Sequence, residues 1–326
     1  MSLRPRYTIR VADRKVELGR RTLVMGVLNV TPDSFSDGGL YFARASAIRR
    51  GLELARQGAD WIDVGGESTR PGSRPISAEE ELHRVLPVIR ALARRLPDTP
   101  ISIDSTKSDV AEAAVRAGAS IINDVSGLRF DAEIARIAAR YGTPLILMHL
   151  RGRPETMQRK PFARSVWRSV REGLAASIRR ARALGVRRSQ LIIDPGLGFG
   201  KSRHQSYELL AHLRRLHEFR LPLLVGTSRK SFVQAVAGGE GLDAPRSSKR
   251  ARSLTAQAGY WKLLSSKRLA TGAAGVPEAL RIGDAAAVAA SILAGAHIVR
   301  VHDLASVLPA VQIADAVLAA RARTTR

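Results

Sequence analysis

The chain lacks cysteine and contains no long uninterrupted apolar run. None of its 326 residues is Cys, which excludes disulfides and thiolate metal sites and agrees with a reducing compartment. The most apolar stretch, residues 285–299, is shorter than a membrane span and is interrupted by Gly295 and His297. The charged N-terminus lacks the apolar segment of a secretory signal. We therefore expect a cytoplasmic protein that has no membrane partner.

Aromatic residues are also few, although basic residues are in large excess. The formal net charge is +24, and aromatic residues make up 5% of the chain. Proteins that bind nucleic acids combine a basic surface with aromatic side chains on which bases stack, whereas the arginines here are spread over helix-like segments. This distribution argues against a nucleic-acid partner. The positive field would instead steer a small anionic substrate toward the protein.

Eight short apolar runs, rich in β-branched residues, alternate with amphipathic helix-like segments. Such runs are typical of parallel strands that are buried on both faces. We predict one domain over residues 1–326, a (β/α)₈ TIM barrel; an open doubly wound sheet is the alternative. The runs cover residues 23–30, 61–66, 101–105, 120–125, 144–150, 191–196, 222–228 and 297–303.

Two segments depart from this alternation. The residues before 23 alternate weakly and turn at 12–14, which predicts a β-hairpin that plugs the N-terminal end of the barrel. Residues of about 239–283 separate the helix after strand seven from the helix before strand eight. Loops of this length are uncommon in compact domains unless they are functional or disordered. We interpret this segment as an insertion, either peripheral or with a role as a lid or partner surface.

The glycine-rich stretch DPGLGFGKS, residues 194–202, does not have the spacing of a nucleotide-binding loop. A P-loop that ended at Ser202 would require glycine where Pro195 stands. A dinucleotide-binding turn that began at Gly196 would require glycine where Lys201 stands. The stretch is therefore a loop that follows a strand and places an acid, Asp194, at the strand's end.

Polar side chains stand at the C-terminal end of every predicted strand, where TIM barrels collect their functional residues. Some of them are suited to the N–H edge of a polar heterocycle, and others to a phosphate or diphosphate. Segment 29–39, rich in Pro, Asp, Ser and Gly, suits a mobile lid. No cluster has the spacing of a metal cage, so any metal would be an Mg²⁺ shared with phosphate oxygens. The strand-end residues are Asn29, Asp63, Glu67, Asp104, Asn123, Asp124, His149, Asp194, Ser228, Arg229, Lys230, Arg300 and His302.

Eight motifs spread across about 23–303 resemble those of the dihydropteroate synthase family. In chain order they are MGVLNVTPDSFSDGG, DVGGESTRPGS, ISIDS, IINDVSG, MHLRGRPETMQ, DPGLGFGK, VGTSRKSF and IVRVHD. The resemblance implies an enzyme of folate biosynthesis that joins 6-hydroxymethyl-7,8-dihydropterin pyrophosphate to p-aminobenzoate and releases pyrophosphate. It also implies an Mg²⁺ cofactor, a homodimer, and a p-aminobenzoate pocket that sulfonamides occupy.

The resemblance assigns roles residue by residue. The pterin ring would be bound by Asp104, Asn123, Asp194 and Lys230. The pyrophosphate would be held by Ser68, Thr69, Arg70, Arg300 and His302, and Mg²⁺ by Asn29. The p-aminobenzoate would be enclosed by Phe35, Thr69, Pro71, Phe199, Ser228 and Lys230. The expected catalytic residues are Asp104, Lys230, Arg300 and His302.

Two other readings of the same barrel remain open. A corrinoid-type methyltetrahydrofolate methyltransferase would keep the ring-binding acids and amide but would have no use for the GESTRPG and SRKS motifs. A non-catalytic paralogue that binds pterin would be expected to have lost the phosphate-binding residues, which are present in this chain.

Overall fold

A computed structural model describes residues 4–31, 39–70, 72–159, 162–237 and 278–324. All eight predicted strands are present, each a little shorter than its apolar run. A hairpin of β1 (Tyr7–Val11) and β2 (Arg14–Leu18) precedes them. The eight strands are β3 (Leu23–Asn29), β4 (Trp61–Gly65), β5 (Ile101–Asp104), β6 (Ile121–Asp124), β7 (Leu145–Met148), β8 (Leu191–Asp194), β9 (Leu224–Gly226) and β10 (Ile298–Val301).

Helices follow the strands in alternation. Helix α2 illustrates why they form where they do: the side chain of Ser77 caps its first turn, which is acidic, and its last turn is basic. The helices are α1 (Gly39–Arg56), α2 (Ala78–Arg95), α3 (Ser108–Arg116), α4 (Glu133–Tyr141), α5 (Val166–Ala183), α6 (Arg203–Ala211), α7 (Ser231–Ala237), α8 (Glu278–Leu293) and α9 (Leu304–Thr324).

The eight strands form one parallel sheet that closes on itself. Their spatial order is β8-β7-β6-β5-β4-β3-β10-β9. The two ends of this sheet meet in a parallel bridge between Ile193 and Leu223, where Ile193 N donates to Pro222 O at 3.0 Å. The prediction of a closed (β/α)₈ barrel is therefore confirmed, and the open-sheet alternative is wrong.

The N-terminal end of the barrel is filled by an apolar layer. Because side chains alternate along a strand, every second residue points to the barrel axis. The hairpin packs its own apolar residues, Ile9, Val11 and Leu18, against this layer, as the sequence predicted. The barrel residues of the layer are Leu23, Met25, Trp61, Ile121, Ile146, Ile192, Leu224 and Ile298.

Helix α9 is apolar yet is joined to the barrel by buried polar contacts. By length and composition alone its stretch Leu304–Ala322 is compatible with a membrane span, and 28% of that stretch is buried. Its Asp315 accepts hydrogen bonds from Thr22 N at 2.7 Å and from Arg4 Nη2 at 2.9 Å. These contacts tie the helix to the residue that leads into β3 and to the segment before the hairpin. One such helix is weak evidence for a membrane span, because core helices pass the same test.

The expected insertion lies largely outside the described residues. Of the segment of about 239–283, the structure describes only the residues from 278 onward, and these already belong to α8. The helix before the last strand thus begins earlier than the sequence pattern indicated.

Candidate active site

The same alternation that builds the apolar layer places polar groups above it. Two residues farther along β4, β5, β6, β8 and β10, the inward positions hold Asp63, Asp104, Asn123, Asp194 and Arg300. All five are at least mostly buried, and Asp63 is fully buried. Four of these positions are the last or next to last of their strands and Asp63 lies in mid-strand, so the side chains converge toward the C-terminal mouth of the barrel.

An ion cluster around Arg300 forms the floor of this mouth. Arg300 donates from Nε to Asp63 Oδ2 and from Nη2 to Asp104 Oδ2, both at 2.6 Å. Asn123 Nδ2 donates to the same Asp63 oxygen at 2.9 Å. Burial raises the pKa of Asp104; the positive charge of Arg300 opposes this shift, whereas the charge of Asp63 adds to it. Two predicted ring-binding residues, Asp104 and Asn123, are thus connected by hydrogen bonds that run through Arg300 and Asp63.

Lys230 and Asp194 form the opposite side of the mouth. Burial lowers the pKa of Lys230 to about 8; the charge of Asp194 opposes this shift. Burial likewise raises the pKa of Asp194, although Lys230 and the N–H of Gly196 counteract it. Lys230 Nζ donates to Leu197 O at 2.6 Å and lies 4.6 Å from the centre of the Phe199 ring. The ammonium therefore faces both the carboxylate and the aromatic wall.

Glycines at two inward strand ends leave room between these groups. A Cβ on Gly65 would lie 3.5 Å from Asp104 Cβ, and a Cβ on Gly226 would lie 3.7 Å from Lys230 Nζ. These are ordinary contact distances, so the glycines are not required for the barrel to pack. A methyl group at either position would touch the polar groups, so the glycines leave the faces of Asp104 and Lys230 uncovered.

The glycine-rich loop is shaped by its own backbone and by Lys201, not by a phosphate. Gly196 and Gly200 have positive φ, and a Cβ on either would lie 2.2 Å from a carbonyl oxygen. The buried Lys201 donates to three carbonyls, those of Gly196, Phe199 and His149, at 2.8–3.0 Å. This lysine therefore ties the loop to the end of β7, and the loop in turn supplies Phe199 and the Leu197 carbonyl to the site.

Phe199 belongs to an apolar wall on the same side. It packs with Phe130 against a cluster made of Val125, Met148, Leu150 and Met157. An aromatic second substrate would find its contact surface here.

The loop after β4, which carries Ser68, Thr69 and Arg70, is held at both ends. Arg84 donates to Gly66 O at 2.8 Å, and Ser73 Oγ donates to Ser68 O at 2.5 Å. Lys107 pairs with Glu67 in this loop and with the buried Glu81 on α2. Arg70 itself is exposed, and its charge contributes to lowering the pKa of His302. The predicted phosphate-binding residues of this loop thus border the mouth.

Ser228 and His302 meet at the far rim, together with a residue that the sequence did not single out. Ser228 Oγ donates to Asp284 Oδ2 at 2.9 Å and lies 3.3 Å from His302 Nδ1. Burial, followed by the charges of Arg300, Arg229, Arg70 and Lys230, lowers the pKa of His302 to about 3. The imidazole is therefore neutral near pH 7, so in the free protein it adds no positive charge for a diphosphate.

Several strand-end residues point away from the mouth. Asp124 bonds the backbone N–H groups of Ser126 and Leu128, as a carboxylate that closes a turn does. His149 packs its ring edge against Gly173 on α5, where a Cβ would lie 2.4 Å from the ring. Both follow an inward-facing residue, and this position alone determines that they face the helices. Phe35 and Pro71 lie outside the described residues.

Two residues of the site were missed as functional candidates. Asp63 was recognised only as a polar strand end, because a buried acid in mid-strand gives no motif of its own. Asp284 lies within an alanine-rich helix, and no spacing signal connects it to Ser228. An unexpected charge on the inner face of an otherwise apolar helix is the signal that the sequence offered.

The donor set at the mouth fits an Mg²⁺ that is bound mainly through phosphate. Among the described residues, no three His, Cys, Asp or Glu side chains are grouped to hold a metal ion. Asn29 Oδ1 lies at the mouth, within 3.9 Å of where a Gly65 Cβ would stand. A single amide oxygen is in keeping with a metal that keeps waters and substrate oxygens as its other ligands.

Comparisons with known proteins agree with the predicted fold and family. The family model described as pterin binding enzyme matches residues 25–302. The dihydropteroate synthase of Synechocystis is 41% identical over 298 residues, which are 91% of each chain. A crystal structure of the Yersinia pestis dihydropteroate synthase with a sulfonamide drug superposes with a TM-score of 0.78 at 37% identity, covering 96% of this chain and 99% of that one.

A third match carries a ligand of direct interest. The dihydropteroate synthase from Xanthomonas albilineans in complex with 7,8-dihydropteroate has a TM-score of 0.74 and 36% identity, covering 96% of this chain and 98% of that one. The family model spans most of the chain, and the matched relatives are similar over nearly their full length. The chain belongs to the dihydropteroate synthase family of pterin-binding enzymes.

Proposed function

We propose that this protein is a transferase that condenses 6-hydroxymethyl-7,8-dihydropterin pyrophosphate with p-aminobenzoate to give dihydropteroate and pyrophosphate. The observation that carries the proposal is the set of polar groups around one barrel mouth: Asp104, Asn123, Asp194 and Lys230 converge there, next to the side-chain-free positions Gly65 and Gly226. A bicyclic ring has N–H donors on one edge and carbonyl and nitrogen acceptors on others, and this set offers partners for both.

The ring is held by groups that lie deep in the mouth. Asp194 accepts from the N–H edge, as a carboxylate does from two parallel donors. Asn123 and Lys230 bind the polar atoms on the neighbouring edges. While the ring is neutral, the charge of Asp104 is balanced by its ion pair with Arg300. The ring becomes positive when the diphosphate departs. The carboxylate then stabilises the cationic dihydropterin that forms as the diphosphate departs.

The reaction exchanges one bond for another at the methylene carbon. The carbon–oxygen bond to diphosphate breaks, and the oxygen keeps the electron pair. The aniline nitrogen of p-aminobenzoate then forms the new carbon–nitrogen bond and loses a proton. Because both substrates are held in line in one mouth, the attack becomes effectively intramolecular. Exclusion of water matters here, since water would compete with the aniline for the same carbon.

The leaving diphosphate binds at the rim formed by Ser68, Thr69, Arg70 and His302. The exposed Arg70 lies close enough to His302 for its charge to lower the histidine pKa, so the two border one space. Arg300 donates its hydrogen bonds to Asp63 and Asp104. It therefore stabilises the diphosphate by the electrostatic attraction of its positive charge and not by a direct hydrogen bond. We propose Asn29 as the protein ligand of an Mg²⁺, which would supply charge to the departing phosphate oxygens when bound.

The second substrate stacks along Phe199 with its amine toward the methylene carbon. Lys230 Nζ lies over this ring at 4.6 Å, which gives the aniline pocket one cationic edge. Ser228 and Thr69 complete the described part of the pocket, and Phe35 and Pro71 are its predicted further members. A sulfonamide, which shares the aniline group, would occupy the same space.

A homodimer is supported by an exposed apolar surface on the last two helices. Ile282 on α8 is 56% exposed and Ile313 on α9 is 66% exposed, and alanines make up much of the neighbouring surface. Burying these two side chains against a second copy would remove exposed apolar area from water, which is the support for the dimer. A cytoplasmic location remains a prediction, supported by the packing of α9 on the barrel.

The proposal is tested by measuring pyrophosphate release. The protein should release pyrophosphate only when both substrates and Mg²⁺ are present, and a sulfonamide should inhibit the release in competition with p-aminobenzoate. Methyl transfer from methyltetrahydrofolate to a corrinoid, without pyrophosphate release, would support the methyltransferase alternative instead. Pterin binding without turnover under any condition would identify a non-catalytic paralogue.

A further inference from the structure

Asp284 is a buried carboxylate that lies outside the motifs shared with the family yet contacts the rim of the mouth. It is 4% exposed and lies in the second turn of α8. Two donors converge on it from the loop after β9: Ser228 Oγ at 2.9 Å and Arg229 N at 3.0 Å. A carboxylate that is buried and bonded in this way is fixed in position and orientation.

Ser228 has a single hydrogen to give, and three groups surround its oxygen. Asp284 Oδ2 lies at 2.9 Å, His302 Nδ1 at 3.3 Å and His302 N at 3.4 Å. Burial raises the pKa of Asp284, whereas the bonds from Arg229 N and Ser228 and the charge of Arg229 oppose this shift and favour the ionised form. An ionised carboxylate only accepts, and a backbone N–H only donates. The hydrogen of Ser228 therefore goes to Asp284, and its two lone pairs face the two nitrogens of His302.

This arrangement determines which ring nitrogen of His302 carries the hydrogen. If Nδ1 were bare, its lone pair would oppose a lone pair of Ser228. The contact is attractive only when Nδ1 donates, since the partner of one ring nitrogen sets the tautomer. The ring is neutral near pH 7, because burial and the surrounding cations lower the pKa of His302 to about 3. A neutral ring has one hydrogen, so Nε2 has none.

We propose that Asp284 is a positioning residue that acts through Ser228 to hold His302 in its Nδ1–H tautomer, with Nε2 as a hydrogen-bond acceptor. The consequence for catalysis rests on the proposed function. A diphosphate oxygen that carries no hydrogen can bond Nε2 only after the imidazole takes up a proton. Toward such an oxygen, His302 therefore acts by taking up a proton and not as a fixed positive charge.

The charged groups around His302 come from several elements. Arg300 lies on β10, two residues before His302. Arg229 and Lys230 lie in the loop after β9, and Arg70 lies in the loop after β4. Arg50 on α1 donates to the carbonyl of His302 at 3.0 Å. Together with burial, the charges of Arg300, Arg229, Arg70 and Lys230 keep the ring neutral until an anion binds among them.

Asp284→Asn is the informative variant because its two amide orientations differ at Arg229. Arg229 N lies 3.0 Å from Oδ1 and 3.3 Å from Oδ2, so the orientation that keeps the amide oxygen at the Oδ1 position is favoured, since the reverse would bring two donors together at the shorter distance. The amide N–H then points to Ser228 Oγ and releases the serine hydrogen toward His302 Nδ1. Arg229 has φ +59°, a conformation that costs energy in a non-glycine residue. The asparagine retains the bond to its N–H, so the turn is preserved.

The tautomer is measured by long-range ¹H–¹⁵N correlation spectra of histidine-labelled protein without substrates, with His302 assigned from a His302→Gln sample. We expect Nδ1–H in the wild type and Nε2–H in Asp284→Asn. The matched control is Asp98→Asn, which changes an exposed acid that is far from the site in the fold and should leave the wild-type pattern intact.

An Nε2–H signal in the wild type, or the same tautomer in wild type and Asp284→Asn, would overturn the proposal. If the variant does not fold, the wild-type spectrum decides alone. As a second readout, calorimetry with inorganic pyrophosphate in buffers of different ionisation enthalpy should give an uptake of about one proton in the wild type and less in Asp284→Asn; equal uptake would contradict the relay. Absence of turnover in the wild type would refute the proposed function but would not affect the tautomer result.

Discussion

Arg300 Nε lies 2.6 Å from Asp63 Oδ2 inside the barrel. This ion pair sets the position of the guanidinium at the floor of the site, and Asp104 and Asn123 are arranged around it. Buried pairs of this kind contribute little net stability as a unit, but removing one partner leaves an uncompensated charge. The pair therefore connects the stability of the barrel to the geometry of the ring-binding groups.

Replacing Asp63 by alanine should destabilise the fold as well as the site. The change removes one carboxylate partner of the buried Arg300 and leaves Asn123 without its acceptor. We therefore expect a loss of about 3–5 kcal/mol in the free energy of unfolding. Asp63→Asn retains one acceptor and should lose less. Denaturant titration measures both, with Asp98→Asn as an exposed control, and a change within error of that control would show that the pair is not needed.

The activity should decline in alkaline solution as Lys230 loses its proton. Its pKa of about 8 lies below the ordinary 10.5, so the ammonium is present below pH 8 and is lost as the pH rises through that value. We expect kcat/KM to fall roughly tenfold for each further pH unit. Lys230→Arg stays charged throughout and should lack this decline, whatever its absolute rate. A wild-type profile that is flat to pH 10 would exclude a role for the ammonium.

Removing the Lys230 charge altogether should impair turnover more than stability. Lys230→Ala loses hydrogen bonds from a charged donor, which corresponds to about 2–3 kcal/mol or roughly a 30- to 150-fold fall in kcat/KM. The folded state should change less than turnover does, because the cost of burying the ammonium is relieved while the buried Asp194 loses one of its three cationic neighbours. Steady-state kinetics and thermal unfolding on the same samples separate the two effects, and wild-type turnover would refute the assignment.

Asp194→Asn should weaken pterin binding selectively. The amide retains the shape of the carboxylate and one acceptor for Gly196 N, which bonds Asp194 Oδ1 at 2.7 Å, but it turns a donor toward the ring edge. We expect the dissociation constant for a pterin to rise at least about tenfold, with p-aminobenzoate affinity little changed in the presence of saturating inorganic pyrophosphate, which does not react. Isothermal calorimetry provides the measurement, and unaltered pterin affinity would count against the role.

Filling the space beside Lys230 should block the ring without harming the barrel. A Cβ on Gly226 meets nothing closer than 3.7 Å, and the residue has no positive φ, so Gly226→Ala should unfold at close to the wild-type temperature. Its pterin affinity should nevertheless fall. Gly173→Ala is the contrasting variant: its Cβ would lie 2.4 Å from the His149 ring, and it should be destabilised instead. Normal pterin binding by Gly226→Ala would mean that the ring lies elsewhere.

Much of the fold was predictable because it depends on short-range patterns. The apolar runs identified all eight strands, and the weak alternation before residue 23 identified the hairpin. The strand-end polar residues also indicated the correct mouth of the barrel. The boundary of α8 was less predictable, since an alanine-rich stretch shows no clear start signal, and the side-chain partners of Arg300 could not be read from its motif.

By itself, the sequence determined the strand pattern, the polar residue at each strand end and the motifs of the family. It did so because the period of two along each strand sorts side chains into inward and outward sets. The tertiary structure alone decided which of these groups meet. Closing the barrel brings Asp63 and Arg300 together across 237 positions of the chain, and the packing of α8 brings Asp284 to Ser228. Contacts between distant segments depend on how the whole barrel closes, and no local pattern encodes them.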